Sequence, residues 1–141
     1  MTEVMPYWEI ATLKIREEVP GVTFSVFIGD GEDAAENGFY FDFHRFLNDY
    51  PDEQNVRNGT DSYSVVNESL GVHYGGVEGA SRAGDILTLE FSDEAIEVLN
   101  LPSSVIPLRI APEVALNELL SSLKYVLLYG GPRKRPSLIL E

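Results

Sequence analysis

Residues 85–101 read DILTLEFSDEAIEVLNL, and the spacing of the apolar residues changes halfway along. Up to Phe91 the period is two: Leu87, Leu89 and Phe91 share one face and Ile86 lies on the other, so a strand is predicted over 85–91. Ser92 then supplies an N-cap hydroxyl. Asp93 and Glu94 follow in the first turn, where the helix dipole favours negative charge, and a short helix is predicted as far as Leu99. Leu101-Pro102 ends it.

Downstream, Val105 to Ile110 reads as a strand. Pro107 cannot donate to a ladder, so this strand is expected at an edge or entering the sheet late. Pro112 suits an N1 position and is expected to open the longest helix. Val114, Leu116, Leu119, Leu120, Leu123, Val126 and Leu127 recur at three and four, the period of an amphipathic helix packed on a sheet. Gly130-Gly131-Pro132 stops it.

Upstream, Ser62–Asn67 and Gly71–Val77 form a predicted hairpin through Glu68-Ser69-Leu70-Gly71. FYFDFHRF (39–46) predicts a strand with Phe39, Phe41 and Phe43 on one face and Tyr40, Asp42 and His44 on the other. Residues 48–61 read as a long polar connection and Glu32 to Asn37 as a loop. Val22 to Ile28 predicts a strand between the turn signals Pro20-Gly21 and Gly29-Asp30-Gly31. In the N-terminal segment Ile10 and Leu13 suit a helix, whereas Leu13 and Ile15 suit a strand; it is read as a strand. Strands come first, helices late, and the links are of hairpin length. The expected fold is therefore α+β: a mainly antiparallel sheet of about six strands, with the short helix and the longer C-terminal helix packed on one face. Residues 1–131 are read as one domain and 132–141 as a basic tail, either a short strand or flexible.

A chain of 141 residues, 44% hydrophobic, is one domain's worth and can bury a core. It has no cysteine, which excludes disulfides, thiolate metal sites and cysteine nucleophiles. MTEVMPYWEI has no basic segment followed by an apolar one, and no apolar run nears the length of a membrane span. A cytoplasmic protein without membrane association is expected.

The formal net charge is −13. Arg133, Lys134 and Arg135 lie in the tail, so residues 1–131 alone carry −15, seven Lys and Arg against twenty-two Asp and Glu. Nine of those acids fall between Asp30 and Asp61, against the two bases Arg45 and Arg57. Such a field repels nucleic acid and anionic membrane and steers a basic protein toward it; it also serves solubility alone. An aromatic ringed by carboxylates is a sound way to dock on a basic surface. Asp30, Glu32, Asp33, Glu36, Asp49, Tyr50, Asp52 and Glu53 are therefore candidate partner-binding residues.

Nothing in the chain has the spacing of a catalytic or metal motif. His44 and His73 have carboxylate neighbours in sequence but no third ligand at metal spacing, and no Gly-x-Ser-x-Gly elbow occurs. Asp30-Gly31-Glu32-Asp33 lacks the remainder of a calcium loop. The glycines of Tyr74-Gly75-Gly76-Val77 do not stand between a strand and a helix as a phosphate cradle requires; they read as a structural bend that can form a contact surface. The expectation is a binding protein with no cofactor, no metal and no catalytic residue. The alternative is a small ligand-binding domain or hydrolase with a pocket near His73 and Tyr74, and a homo-oligomer joined through Val105–Ile110 or Ser137–Leu140 is a further possibility.

Taken in series, FYFDFHRF (39–46), the polar stretch ending in Asp61-Ser62-Tyr63, HYGGV (73–77), DILTLEFSDEAIEVLNL (85–101) and VALNELLSSLKYVLLYG (114–130) resemble the immunity protein 10 family, small bacterial antidotes of polymorphic toxin systems. The resemblance spans roughly residues 24–130 and leaves the N-terminal segment and the PRKRPSLILE tail uncovered. It implies a non-enzymatic protein that binds and neutralises a cognate toxin made by the same cell. It transfers no binding residues, since immunity contacts vary widely.

Overall fold

The structure, a computed structural model, describes residues 5–47, 63–129 and 136–140. Among these residues the strands are β1 (Trp8–Ile10), β2 (Thr12–Val19), β3 (Thr23–Gly29), β4 (Tyr40–Phe46), β5 (Ser64–Asn67), β6 (Val72–Tyr74), β7 (Val77–Ala83), β8 (Ile86–Phe91), β9 (Val105–Ile110) and β10 (Ser137–Ile139). The helices are α1 (Ala34–Asn37), α2 (Asp93–Leu99) and α3 (Leu116–Leu127). The fold is α+β, and the strands divide into two sheets of five.

The first sheet has the order β2-β3-β4-β5-β6 and is antiparallel throughout. The second has the order β1-β9-β8-β7-β10. Its centre is antiparallel, and each edge strand pairs parallel to its neighbour. The chain passes between the sheets at Ala11 and again at Gly75-Gly76. Ala11 N–H donates to Gly29 O in the first sheet at 2.9 Å, while Ala111 N–H donates to Ile10 O in the second at 3.0 Å. The N-terminal segment is thus extended, as expected, but shared between two sheets.

One core lies between the sheets. Val26, Ile28, Phe41, Phe43, Tyr63 and Val65 face inward from the first, and Trp8, Ile10, Leu87, Leu89, Phe91, Ile106 and Leu108 from the second. Phe41 sits at the centre, stacked on Trp8 at 5.8 Å and on Phe91 at 5.5 Å between ring centroids. The helix α3 adds Leu119, Leu123, Val126 and Leu127, and α2 adds Ala95 and Leu99.

Several local expectations shift. Residues 32–37, read as a loop, contain the single turn α1, held by Ala34 packing on Phe27 and Tyr40. Tyr40 is therefore buried on the outer side of its sheet, with its ring 5.2 Å from Phe27. Phe39 precedes the strand and is half exposed against Tyr7. The predicted fourth strand stops at Tyr74, because Gly75 and Gly76 take φ of 75° and 92°, and its continuation joins the other sheet as β7. The long helix begins at Leu116 and not at Pro112, which lies in a turn closed by Val114 N–H to Ala111 O.

Pro107 stands inside a sheet, since β9 has neighbours on both sides. Its bonds to β8 run through Ser104 and Ile110, so the even-numbered residues face β8 and Pro107 turns the other way. There the pairing with β1 begins only at Trp8↔Leu108, and the missing N–H costs no ladder bond. Val105–Ile110 is accordingly not a free edge. Among the described residues Ser137–Ile139 is one: it lies parallel to β7, and Arg82 Nε donates to Leu140 O at 3.4 Å beside it.

Candidate partner-binding surface

The acidic residues fall into two groups. Asp30, Glu32, Asp33 and Glu36 surround α1 on the β3–β4 connection, and all four are exposed. Asn37 Nδ2 donates to Asp33 Oδ2 at 3.4 Å. The Asp30 carboxylate lies over Gly38, where a side chain would collide with it. Asp49, Tyr50, Asp52 and Glu53 lie outside the described residues. Their segment joins the fold at Leu47 and Tyr63, at the Phe46 end of β4, whereas α1 joins at the Tyr40 end. A seven-residue strand spans about 20 Å. The acidic stretch of sequence is therefore attached at opposite ends of the first sheet.

Between those ends lies the outer face of that sheet. Strand register places Lys14, Phe27, Asp42, Val66 and Val72 in one row across it, with Ser25, His44, Ser64 and Tyr74 in the next. Neither α2 nor α3 contributes to this face; both add their buried residues to the core beneath. His44 Nε2 lies 3.1 Å from Asp42 Oδ2, and Asp42 Oδ1 is buried without a hydrogen-bond partner among the described residues. An open groove of about 310 Å³ runs beside this pair, lined by Thr23, His44, Arg45, Phe46, Ser64, Val66 and Tyr74. Toward α1, burial raises the Tyr40 pKa, with Asp42 and Glu68 adding to the effect; burial and then Glu68 raise that of Tyr7.

His73 and Tyr74, read from sequence as sharing a pocket, point to opposite faces of β6. Tyr74 belongs to the outer groove. His73 is turned inward against α2: Nε2 lies 3.5 Å from Glu94 Oε1 and Nδ1 lies 3.2 Å from Gly75 O. A carbonyl only accepts, so Nδ1 carries the proton of that hydrogen bond. The residue beside Tyr74 in the groove is His44, thirty positions earlier in the chain, and only strand register brings it there.

The Gly75-Gly76 bend is held at three points. Gly75 N–H donates to Tyr63 O at 2.8 Å, Ser92 N–H donates to Gly76 O at 2.8 Å, and the Tyr63 hydroxyl accepts from Val77 N–H at 2.9 Å. A Cβ on Gly76 would fall 2.6 Å from His73 Nδ1 and 2.9 Å from Ala95 Cβ. Tyr74 is therefore displayed from a rigid corner between the sheets. Among the described residues no three His, Asp or Glu side chains converge as metal ligands, and no helix is long and apolar enough to cross a membrane.

The family model described as Immunity protein 10 matches residues 11–116. The chain belongs to the Immunity protein 10 family. The match starts where the chain enters the first sheet and ends at the first residue of α3. It takes in β2 through β9 with α1 and α2, and so covers the acidic segments, the outer face and the glycine bend. It begins earlier and ends earlier than the resemblance carried by the motifs. No curated protein and no solved structure matches the chain. This Immunity protein 10 member is thus an immunity protein with a two-sheet α+β fold.

Proposed function

We propose that this protein neutralises a cognate bacterial toxin by binding it directly, in the cytoplasm, through an acidic surface that meets a basic one. Membership of the Immunity protein 10 family carries the proposal. The net charge of −13 and the exposed carboxylates of Asp30, Glu32, Asp33 and Glu36 support the acidic docking. Asp49, Tyr50, Asp52 and Glu53 belong to the same proposal from sequence. The protein acts as a stoichiometric inhibitor and catalyses nothing. The opposed directions of His73 and Tyr74 on β6 support this reading over a hydrolytic pocket that uses both.

The test is the affinity of the purified protein for the toxin encoded beside its gene, titrated against salt and paired with co-expression. Tight binding that weakens steeply with salt, together with rescue of growth, is expected. Absence of binding at low salt with no rescue would overturn the proposal. Tight binding insensitive to salt would remove only its acidic part.

A further inference from the structure

Exposed apolar residues gather on the β6 edge of the first sheet. Leu70, Val72 and Tyr74 are 78%, 50% and 43% exposed, and Val98 of α2 is exposed beside them. They are neighbours in space: Val72 and Tyr74 share the outer face of β6, Leu70 sits in the turn leading into it, and the Val98 carbonyl packs directly on Gly71.

Leu70 is the informative member. Its φ is +67°, a left-handed conformation that disfavours side chains with a Cβ and that glycine or asparagine adopts more readily. A leucine there is disfavoured by its backbone, and its side chain buries almost nothing in the protein itself. Folding alone gives no reason for a leucine at this position, whereas an apolar contact with another molecule does.

The chemistry around the ridge is acidic. From Tyr63 to Ser81 and from Ser92 to Ser104 the chain has five acids and no Lys or Arg. Glu68 adjoins Leu70 in the turn, and Glu94, with its side chain 80% exposed, reaches β6 through His73. Glu97 follows three residues on, along the same side of α2. Among the described residues the edge is also open in its backbone. The bond from Gly75 N–H to Tyr63 O sets the odd residues of β6 against β5, so the N–H and C=O groups of Val72 and Tyr74 point away from the sheet.

We propose that this edge, with Leu70, Val72 and Tyr74 as its apolar centre and Glu68, Glu94 and Glu97 as its charged rim, is where the toxin docks. The proposal rests on the toxin-binding reading above and deepens it. An apolar centre with an aromatic anchor inside a rim of one charge fits a partner that presents an exposed apolar patch bordered by Lys and Arg. The rigid Gly75-Gly76 corner presents Tyr74 without an ordering cost on binding.

The test compares the unaltered full chain with Leu70→Asn and Tyr74→Ala, measuring Kd for the neighbouring toxin and Tm for each variant. Ile139→Ser, at the far edge of the second sheet, is the control. Leu70→Asn is expected to keep or raise Tm, since asparagine suits the backbone, while Kd weakens about tenfold or more. Tyr74→Ala is expected to weaken Kd by about tenfold to a hundredfold, and the control by less than about twofold. Binding by the unaltered chain that survives both substitutions within twofold overturns the docking edge and leaves the toxin-binding reading standing. Failure of the unaltered chain to bind overturns both.

Discussion

The Tyr63 hydroxyl accepts a hydrogen bond from Val77 N–H at 2.9 Å and lies 3.4 Å from Val77 O, so a side chain from the start of β5 meets both polar groups of the first residue of β7. Tyr63 has no measurable exposure, and this contact ties the two sheets together where the chain crosses between them. Tyr63→Phe should leave both Val77 groups short of a buried partner and cost about 1–3 kcal/mol. Urea unfolding of the variant beside the unaltered protein measures it, and an unchanged midpoint would show that the crossing does not depend on this hydroxyl.

The same residue sets an alkaline limit on stability. Burial pushes the Tyr63 pKa far above its ordinary value of 10.0, with the backbone hydrogen bond to Val77 pulling weakly the other way. Tyr40 and Tyr7 shift in the same direction, also chiefly through burial. In the unfolded chain these phenols ionise near pH 10 while the folded state keeps their protons. Above that pH the unfolded state binds fewer protons, so stability falls as pH rises, by up to about 1.4 kcal/mol per pH unit for Tyr63, with smaller contributions in the same direction from Tyr40 and Tyr7. Unfolding free energies measured from about pH 9 upward should show this slope, and Tyr63→Phe should flatten it.

Two glycines with positive φ separate backbone strain from crowding. Gly76→Ala meets both, because φ is +92° and the new Cβ would strike the His73 ring and Ala95. A loss of about 2–4 kcal/mol is expected. Gly84→Ala has φ of +61° and open space around it, so about 1 kcal/mol is expected. Equal losses in thermal melts would mean that His73 gives way freely.

Arg45 should resist replacement by lysine. Its guanidinium carbon lies 4.0 Å from the Tyr125 ring centre and 4.5 Å from that of Tyr129. Nε donates to Phe46 O at 2.7 Å and an Nη to Tyr125 O at 3.3 Å, near the C-terminus of α3. A planar fork serves rings and carbonyls together and an ammonium does not. Arg45→Lys should therefore cost about 1–2 kcal/mol in denaturant unfolding, despite keeping the charge.

Charge reversal around α1 tests the acidic docking apart from the β6 edge. Glu32 and Glu36 are exposed, so Glu32→Lys with Glu36→Lys should leave Tm within a degree or two while slowing association with the toxin and shallowing its salt dependence. Stopped-flow association rates at two ionic strengths give the answer; unchanged rates would place the contact elsewhere.

Much of this architecture is legible locally. The period-two runs at 22–28, 39–46 and 85–91 became strands, Ser92 caps α2 by accepting from Ala95 N–H, and the class is α+β. The α1 turn was hidden because its cause, Ala34 against Phe27 and Tyr40, lies across a strand pair. Pro112 misled for a related reason: an N1 position also suits a turn, and only the Ala111–Val114 bond distinguishes them. Of the candidate surface, the acids around α1 and Tyr74 could be named from residue type. The isolation of His73 from Tyr74 follows from strand alternation and could have been read from the sequence alone.

The sequence by itself determined which residues share a face, where helices and strands stop, and which family the chain belongs to, because periodicity, capping and turn chemistry act within a few residues. Tertiary structure decided that the strands form two sheets, that β1 and β10 close the second sheet in parallel, and that Leu70, Val72 and Tyr74 end on an open edge beside the acids of α2. Those outcomes depend on pairings between segments up to about a hundred residues apart, Trp8 with Leu108 being one. Alternation along a strand specifies its faces but carries no information about its neighbour. Shared burial of both sheets' inner faces in one core makes that choice.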